Sequence, residues 1–293
     1  MAAKIIDGVR LAREMRETCR ERVVRLAREH DLVPGLAVIV IGEDPASAIY
    51  VRNKIRACAQ VGIRSFRYDY PIDVATATIL DRIAALNASS PVHGILVQLP
   101  LPPQLAADPI LRSISVDKDV DGFHLYNVGA LVLGNTVFPP CTPHGVLKLL
   151  EREGIPLEGQ NVVVVGASNI VGKPMALMLM QRDATVVICH AKTRDLAQFT
   201  ILADVLVVAA GQPNLIVPQM VKTGAVVIDV GINRLPDGRL VGDVDFEGVR
   251  RKASHITPVP GGVGPMTVTM LLVNTIASAE RMAERIAGRR GPG

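Results

Sequence analysis

The chain has 293 residues, 49% of them hydrophobic, which suffices for two modest α/β domains and argues against disorder. Trp is absent and aromatic residues make up only 3%, which disfavours a nucleic-acid binder that stacks bases on aromatic platforms. Net charge is +4, and much of the basic excess lies in 10–28 and 281–290, where interleaved Glu at helical spacing points to solvated helix faces rather than DNA-binding stripes.

Taken in chain order, the predicted elements alternate helix and strand, the pattern of an α/β fold. Met15, Cys19, Val23 and Leu26 recur at helical spacing in a first amphipathic helix. Leu36–Ile41 reads as a buried strand ended by Gly42, Ala46–Gln60 as a helix with Pro45 at its start, and Arg64–Tyr70 as an alternating strand. Asp73 is placed to cap a helix running to about Leu86. Gly94–Leu99 is a buried strand stopped by Pro100, Pro102 and Pro103. Asp117–Phe123 is polar and turn-rich, and His124–Leu133 has the pattern of a short helix. Pro139, Pro140 and Pro143 mark a domain boundary, after which His144–Arg152 reads as a helix.

Beyond that boundary the pattern is doubly wound. Strands are expected at Val162–Val165, Thr185–Cys189, Val205–Ala209 and Val226–Val230, with helices at Val171–Gln181 and Leu196–Ala203. The loop Pro258–Pro265 leads to a long helix over about Met266–Ile286, expected to pack back on the first domain. The expected architecture is therefore two α/β domains, 1–140 with 267–293 and a Rossmann-like 141–266.

Cys19, Cys58, Cys141 and Cys189 lie far apart, with no CxxC and no zinc-type spacing, so no metal site is expected. They read as thiols in a reducing compartment. The N-terminal stretch lacks a signal-peptide apolar segment and no 18-residue apolar run occurs, so the expectation is a cytoplasmic protein without a membrane span.

Asn161–Val165, Gly166-Ala-Ser168-Asn-Ile170-Val-Gly172 and the helix that follows form a strand, a glycine turn and a helix. Such a turn brings backbone close to a pyrophosphate, at a helix end with unpaired N–H groups. The spacing is Gly-x-Ser-x-x-x-Gly rather than G-x-G-x-x-G, so both a dinucleotide site and a ligand-free tight turn stay open. After Thr185–Cys189 come His190, Ala191, Lys192, Thr193 and Arg194, with no carboxylate before Asp195. An NAD site usually places Asp or Glu there for the ribose 2′-OH, whereas two cations suit a 2′-phosphate. NADP is favoured over NAD, against the alternative that Lys192 and Arg194 are ordinary loop charge.

Tyr50 and Lys54, four residues apart on a helix, share a face. Alone they read as surface residues, Gln98 as a strand-end hydrogen bonder, and Asp121 as part of a solvated turn. A calcium loop at Asp117–Phe123 fails for want of an acidic twelfth-position ligand.

Five segments together resemble the bifunctional methylenetetrahydrofolate dehydrogenase/cyclohydrolase family. They are Tyr50-x-x-x-Lys54, Val97-Gln98-Leu-Pro-Leu-Pro102, Asp117-Lys-Asp-Val-Asp121-Gly-Phe123, the turn Gly166–Pro174, and Pro258-Val-Pro-Gly-Gly-Val-Gly-Pro-Met-Thr267. They occur in family order across nearly the whole chain. The resemblance implies NADP-dependent oxidation of 5,10-methylenetetrahydrofolate, hydrolysis of the methenyl product, and a homodimer. It implies Lys54 as catalytic lysine with Tyr50 stacking on the folate, Gln98 tuning the lysine, and Asp121 holding the pterin in a folate-binding first domain. Pro260, Gly261 and Gly262 would line the folate side. Thr142, Gly166, Ser168, Ile170 and Gly172 would face the cofactor, with Ile232 at its nicotinamide end. Ala167 and Ala191 depart from relatives that have Arg and Ser there against the 2′-phosphate, so Lys192 or Arg194 is expected to substitute. A dehydrogenase without the hydrolase step, and a silent dinucleotide-binding module, are the alternatives.

Overall fold

A computed structural model describes residues 2–42 and 45–289, with the backbone alone at 45–47 and 289; residues 1, 43–44 and 290–293 of the expected first domain lie outside it. Two compact units emerge, Glu14–Pro139 with the chain from Val268 onward, and the opening residues through Arg13 with Pro140–Thr267.

In chain order the strands are β1 Lys4–Ile5, β2 Gly35–Ile41, β3 Arg64–Tyr70, β4 Gly94–Val97, β5 Asn161–Val165, β6 Thr185–Cys189, β7 Val205–Val208, β8 Val226–Asp229, β9 Asn233–Arg234, β10 Leu240–Val241 and β11 His255–Ile256. The α-helices are α1 Gly8–His30, α2 Pro45–Val61, α3 Thr76–Ala88, α4 Ala107–Arg112, α5 Leu125–Val132, α6 Cys141–Arg152, α7 Gly172–Met180, α8 Leu196–Thr200, α9 Phe246–Arg250 and α10 Val263–Arg289.

The unit built on Glu14–Pro139 has a parallel sheet ordered β3-β2-β4. All seven residues of the central β2 are buried, because both faces of the sheet are covered; this is why its sequence is continuously aliphatic instead of alternating. On one face Ala37, Ile39 and Ile41 pack with Ile79, Ile83 and Leu86 of α3 and Ile110 of α4. The edge strand β3 alternates, as an edge strand half in water must. From Val268 onward α10 joins this unit, as expected. Asn274 donates to the carbonyls of Val120 and Pro139, and Ser278 lies within hydrogen-bond distance of the carbonyls of His93 and Asp117. Arg22 makes a two-pronged pair with Glu280.

Two expectations need correction here. Helix α3 begins at Thr76 with Ala75 at its N-cap and no side-chain cap, so Asp73 does not cap it; Val74 N closes a turn on Pro71 O instead. Helix α4 was not anticipated, because the prolines before it and Pro109 in its first turn mask a helix of six residues.

The other unit is a six-stranded, wholly parallel sheet ordered β1-β11-β8-β7-β5-β6. The chain leaves β5 to one side for β6 and then crosses to β7 on the other, which creates a topological switch point at the carboxyl end of β5. The strand Lys4–Ile5 pairs in parallel with His255–Ile256, and Ala3 joins the buried cluster of Val163, Val165, Leu206, Val208, Val227 and Ile256. The first thirteen residues therefore sit in this unit, whereas the sequence placed the whole of 1–140 elsewhere. No helix among the described residues is long and apolar enough to cross a membrane.

Two histidines, one in each unit, set an acid limit. Burial is the main reason that His93 and His144 are each pushed down to about 4. His93 Nδ1 accepts the N–H of Gly35, and the Lys118 ammonium nearby further disfavours its charge. The unfolded chain binds these protons near pH 6.5 and the folded chain only near pH 4, so in that window the unfolded state holds more protons and stability drops as the pH is lowered. Acidification from pH 7 to 4.5 is expected to lower the melting temperature, at up to about 1.4 kcal/mol per pH unit for each histidine. Calorimetry across that range checks it, and a melting temperature flat from pH 6.5 to 4.5 would refute it.

Candidate active site

Helix α2 presents an unusual stripe. Val51, Cys58 and Val61 are buried at helical spacing, and Lys54 occupies the same stripe, half-buried beside half-buried Tyr50. An amine on the inward face needs a polar partner. It finds one in Gln98, just past the end of β4: Lys54 Nζ donates to Gln98 Oε1 at 3.1 Å. Gln98 is itself held, its Nε2 donating to the Leu99 carbonyl at 2.6 Å and its backbone N to Ile39 O at 2.9 Å. With the amide nitrogen occupied by a carbonyl, only the oxygen faces the lysine. The pair is thus a partly desolvated amine held by a neutral acceptor. Cys58, next on the stripe, is no rival nucleophile, since burial pushes its thiol up to about 11.

The segment Asp117–Phe123 divides its acids by task. Asp117 pairs with both terminal nitrogens of Arg285, at 2.6 and 2.9 Å. Lys118 is buried and donates to the carbonyls of Leu86, Asn87 and Ser89, neutralising the C-terminal end of α3. Asp119, also buried, accepts from Phe123 N, His124 N and Asn127 Nδ2, and so fixes the following turn. Asp121, half-buried like Asp117, lies in the turn that Asp119 fixes. Sequence reading treated this stretch as one turn and assigned only Asp121; the work of Lys118 depends on a helix end distant in sequence, and that of Asp119 on how the following turn folds back.

In the nucleotide-type unit, Gly166 follows β5 with φ +121°, and a Cβ there would lie 2.2 Å from Ala209 O. A Cβ on Gly172 would lie 2.0 Å from Gly166 O, so the two glycines bring the strand exit and the start of α7 into backbone contact. Ser168 Oγ accepts from Val171 N at 3.1 Å and Gly172 N at 3.4 Å, which closes the turn. Ile170 is exposed. Thr142, on α6, bonds through its hydroxyl to that of Thr267 at 3.0 Å. Lys192 and Arg194 are both exposed in the loop after β6. Asp195, the first carboxylate after that strand, accepts from Ala197 N and caps α8. It is engaged as a helix cap.

Ile232, on the loop after β8, is 41% exposed, an apolar side chain held out by the backbone. In the loop Pro260–Gly262, Gly261 has φ +110° and accepts from Val9 N, while Gly262 N donates to Pro258 O. The residues predicted from the sequence therefore form two groups. Tyr50, Lys54, Gln98 and Asp121 lie in one unit; Thr142, Gly166, Ser168, Ile170, Gly172, Lys192, Arg194, Ile232 and Pro260–Gly262 lie in the other.

Sequence reading missed two buried acids in the second group, Asp229 at the end of β8 and Asp243 after β10. Asp229 accepts from the backbone N of Gly231, Asp243 and Val244. Burial pushes its carboxyl up to about 7 against the pull of those N–H groups. The available signal was the glycine beside each acid, in Asp229-Val-Gly231 and Gly242-Asp243.

Known proteins match this chain along nearly its whole length. The family model for the tetrahydrofolate dehydrogenase/cyclohydrolase catalytic domain matches residues 6–121, and that for its NAD(P)-binding domain matches 140–283. A protein from Nitrosospira multiformis named bifunctional protein FolD is 59% identical, over 98% of this chain and 100% of that one. The crystal structure of the bifunctional FolD methylenetetrahydrofolate dehydrogenase/cyclohydrolase from Campylobacter jejuni superposes with a TM-score of 0.94 at 51% identity, covering 96% of this chain and 100% of that one. A Trypanosoma brucei methylenetetrahydrofolate dehydrogenase-cyclohydrolase complexed with NADP and inhibitor gives 0.94 at 40% identity, covering 96% and 99%. With a half-buried lysine on a neutral amide in one unit and a glycine-closed turn at the switch point of the other, this chain belongs to the tetrahydrofolate dehydrogenase/cyclohydrolase family.

Proposed function

We propose that the chain is a bifunctional enzyme of one-carbon metabolism. It oxidises 5,10-methylenetetrahydrofolate to the 5,10-methenyl form with NADP and hydrolyses that product to 10-formyltetrahydrofolate. The observation that carries this reading is the 3.1 Å bond from Lys54 to Gln98.

NADP fits the residues present. The positions of Gly166 and Gly172 leave no room for side chains, so backbone alone faces a pyrophosphate at the start of α7. Lys192 and Arg194 suit a 2′-phosphate, and Asp195, the first carboxylate after β6, already accepts Ala197 N as the cap of α8. When bound, the nicotinamide ring supplies the hydride acceptor. The protein's part in that step is positioning, since the substrate's own nitrogen lone pair expels the hydride and leaves an amidinium cation. We assign that placement to Thr142, Ser168, Ile170 and Ile232 on the cofactor side, and to Tyr50, Asp121, Pro260, Gly261 and Gly262 on the folate side.

Hydrolysis needs a base, because water is a weak nucleophile. The Lys54 amine takes a proton from water as the oxygen–carbon bond forms. Collapse of the adduct then breaks the bond to N5, which is protonated, and leaves the formyl group on N10. A positioned base of this kind contributes about 10²–10⁴-fold. Gln98 holds the amine without adding negative charge, whereas a carboxylate in its place would favour the ammonium and remove the base.

The reading extends to a cytoplasmic homodimer. The four cysteines are free and buried, as thiols in a reducing compartment are. Strand β6 is an unpaired sheet edge that exposes Val187 and Ile188; Met180, Phe199, Ile201 and Leu202 are exposed on the helices and turn flanking it, an apolar surface suited to a second copy.

One spectrophotometric experiment tests the function: methylenetetrahydrofolate with NADP or NAD at equal concentration, followed by methenyltetrahydrofolate alone. Faster oxidation with NADP, and hydrolysis above the spontaneous rate, are expected. Faster oxidation with NAD would refute the cofactor assignment, and absent hydrolysis would leave a dehydrogenase alone.

A further inference from the structure

Three strand exits in the nucleotide-type unit are tied together by the two buried acids. Asp243, fully buried, accepts from the successive backbone N–H groups of Ala210 and Gly211, at the exit of β7, through one carboxylate oxygen at 2.7 and 2.9 Å. Its other oxygen accepts from Asn233 Nδ2 at 2.8 Å. Asp229 accepts from Gly231 N at the exit of β8, and from Asp243 N and Val244 N, all at 3.0 Å. The backbone N of Asp229 donates to Thr257 Oγ1 at 2.7 Å, which ties in the exit of β11 just before Pro258.

The glycines beside these acids are required by the arrangement. A Cβ on Gly231 would lie 2.2 Å from the Asp243 carboxylate, and one on Gly242 1.8 Å from that of Asp229. Two carboxylates buried this closely oppose folding unless their N–H donors compensate them. Such a cluster stands where an apolar residue would serve packing better. What it achieves is geometric, because Ile232 lies between Gly231, held by Asp229, and Asn233, held by Asp243. The other Asp243 oxygen holds the 210–211 turn beside Ala209, whose carbonyl lies against Gly166.

We propose that Asp243, with Asp229, is a positioning residue for the dinucleotide. Through Asn233, Gly231 and the 210–211 amides the pair sets where Ile232 and the strand exits meet the nicotinamide end. This rests on the proposed function. It separates two activities, since oxidation uses the dinucleotide and hydrolysis of the methenyl substrate does not.

The experiment compares the wild type with Asp243→Asn, Asn233→Ala and the reciprocal double variant N233D/D243N. Asp243→Asn turns an NH₂ toward either the backbone amides or Asn233. The double variant restores one acceptor facing the amides and a donor–acceptor pair across 233 and 243. NADPH binding is followed by its fluorescence, both catalytic rates are measured, and the melting temperature is recorded. Asp243→Asn is expected to weaken NADPH binding and lower the ratio of dehydrogenase to cyclohydrolase rate by about tenfold or more, the worth of one charged buried hydrogen bond. Asn233→Ala, a milder lesion expected to fold in any case, shifts both in the same direction, and the double variant recovers most of the loss. Equal falls in both rates with NADPH affinity unchanged would reduce the pair to packing and overturn the proposal. Should the wild type bind NADPH but lack both folate activities, the proposed function fails while the titration still decides this inference.

Discussion

Replacing Lys54 by methionine is expected to remove hydrolysis of methenyltetrahydrofolate, a loss of about 10²–10⁴-fold from the positioned base. Methionine suits the site structurally: it is unbranched, nearly as good a helix former as lysine, and compatible with a stripe shared by Val51, Cys58 and Val61. The helix should persist, and Gln98 should remain anchored by the Leu99 carbonyl and by its own backbone bond to Ile39. Oxidation of the methylene substrate should fall as well, but less, because only positioning is lost there. Lys54→Arg separates charge from basicity, since a guanidinium keeps the positive charge and cannot lose its proton. It too should fail to hydrolyse. Hydrolysis at the wild-type rate in either variant would sink the assignment of this amine as the base.

The second large effect is expected from Gly172→Ala. Its Cβ would meet Gly166 O at 2.0 Å, Gly166 C at 2.6 Å and Ala167 Cα at 3.0 Å, all backbone, so relief requires moving the turn itself. Overpacking of this kind costs about 1–3 kcal/mol, and the turn that yields is the one proposed to receive the pyrophosphate. NADPH affinity is expected to fall by about a hundredfold, the equivalent of about 2.7 kcal/mol. Gly129→Ala is the control. It lies in α5 with no atom within 4 Å of a new Cβ, and alanine is the better helix former. Titration of both variants with NADPH checks the contrast, and Gly172→Ala binding as tightly as Gly129→Ala would refute it.

The candidate site was unevenly legible in the sequence. Tyr50, Lys54, Gln98 and Asp121 are each bland alone, and only their order along the chain singled them out. The structure gives Lys54 and Gln98 a physical reason: a lysine on a buried stripe, facing an amide whose other end is committed. Asp119 and Lys118 stayed invisible because their partners are turn amides and the end of α3, up to 32 residues away. Asp229 and Asp243 stayed invisible because 14 residues and a hairpin separate two acids that share one network.

Composition, apolar runs and punctuation by themselves determined the α/β class, the main strands, the long helices and the glycine turn after Val165, since each is written in local periodicity and local backbone freedom. Tertiary structure alone decided that Lys4–Ile5 and His255–Ile256 are strands, because two residues carry no period and only a neighbouring edge makes them a ladder. It also decided which acids are spent on the fold. A carboxylate's role follows from the N–H groups that reach it, and only the folded chain settles which those are.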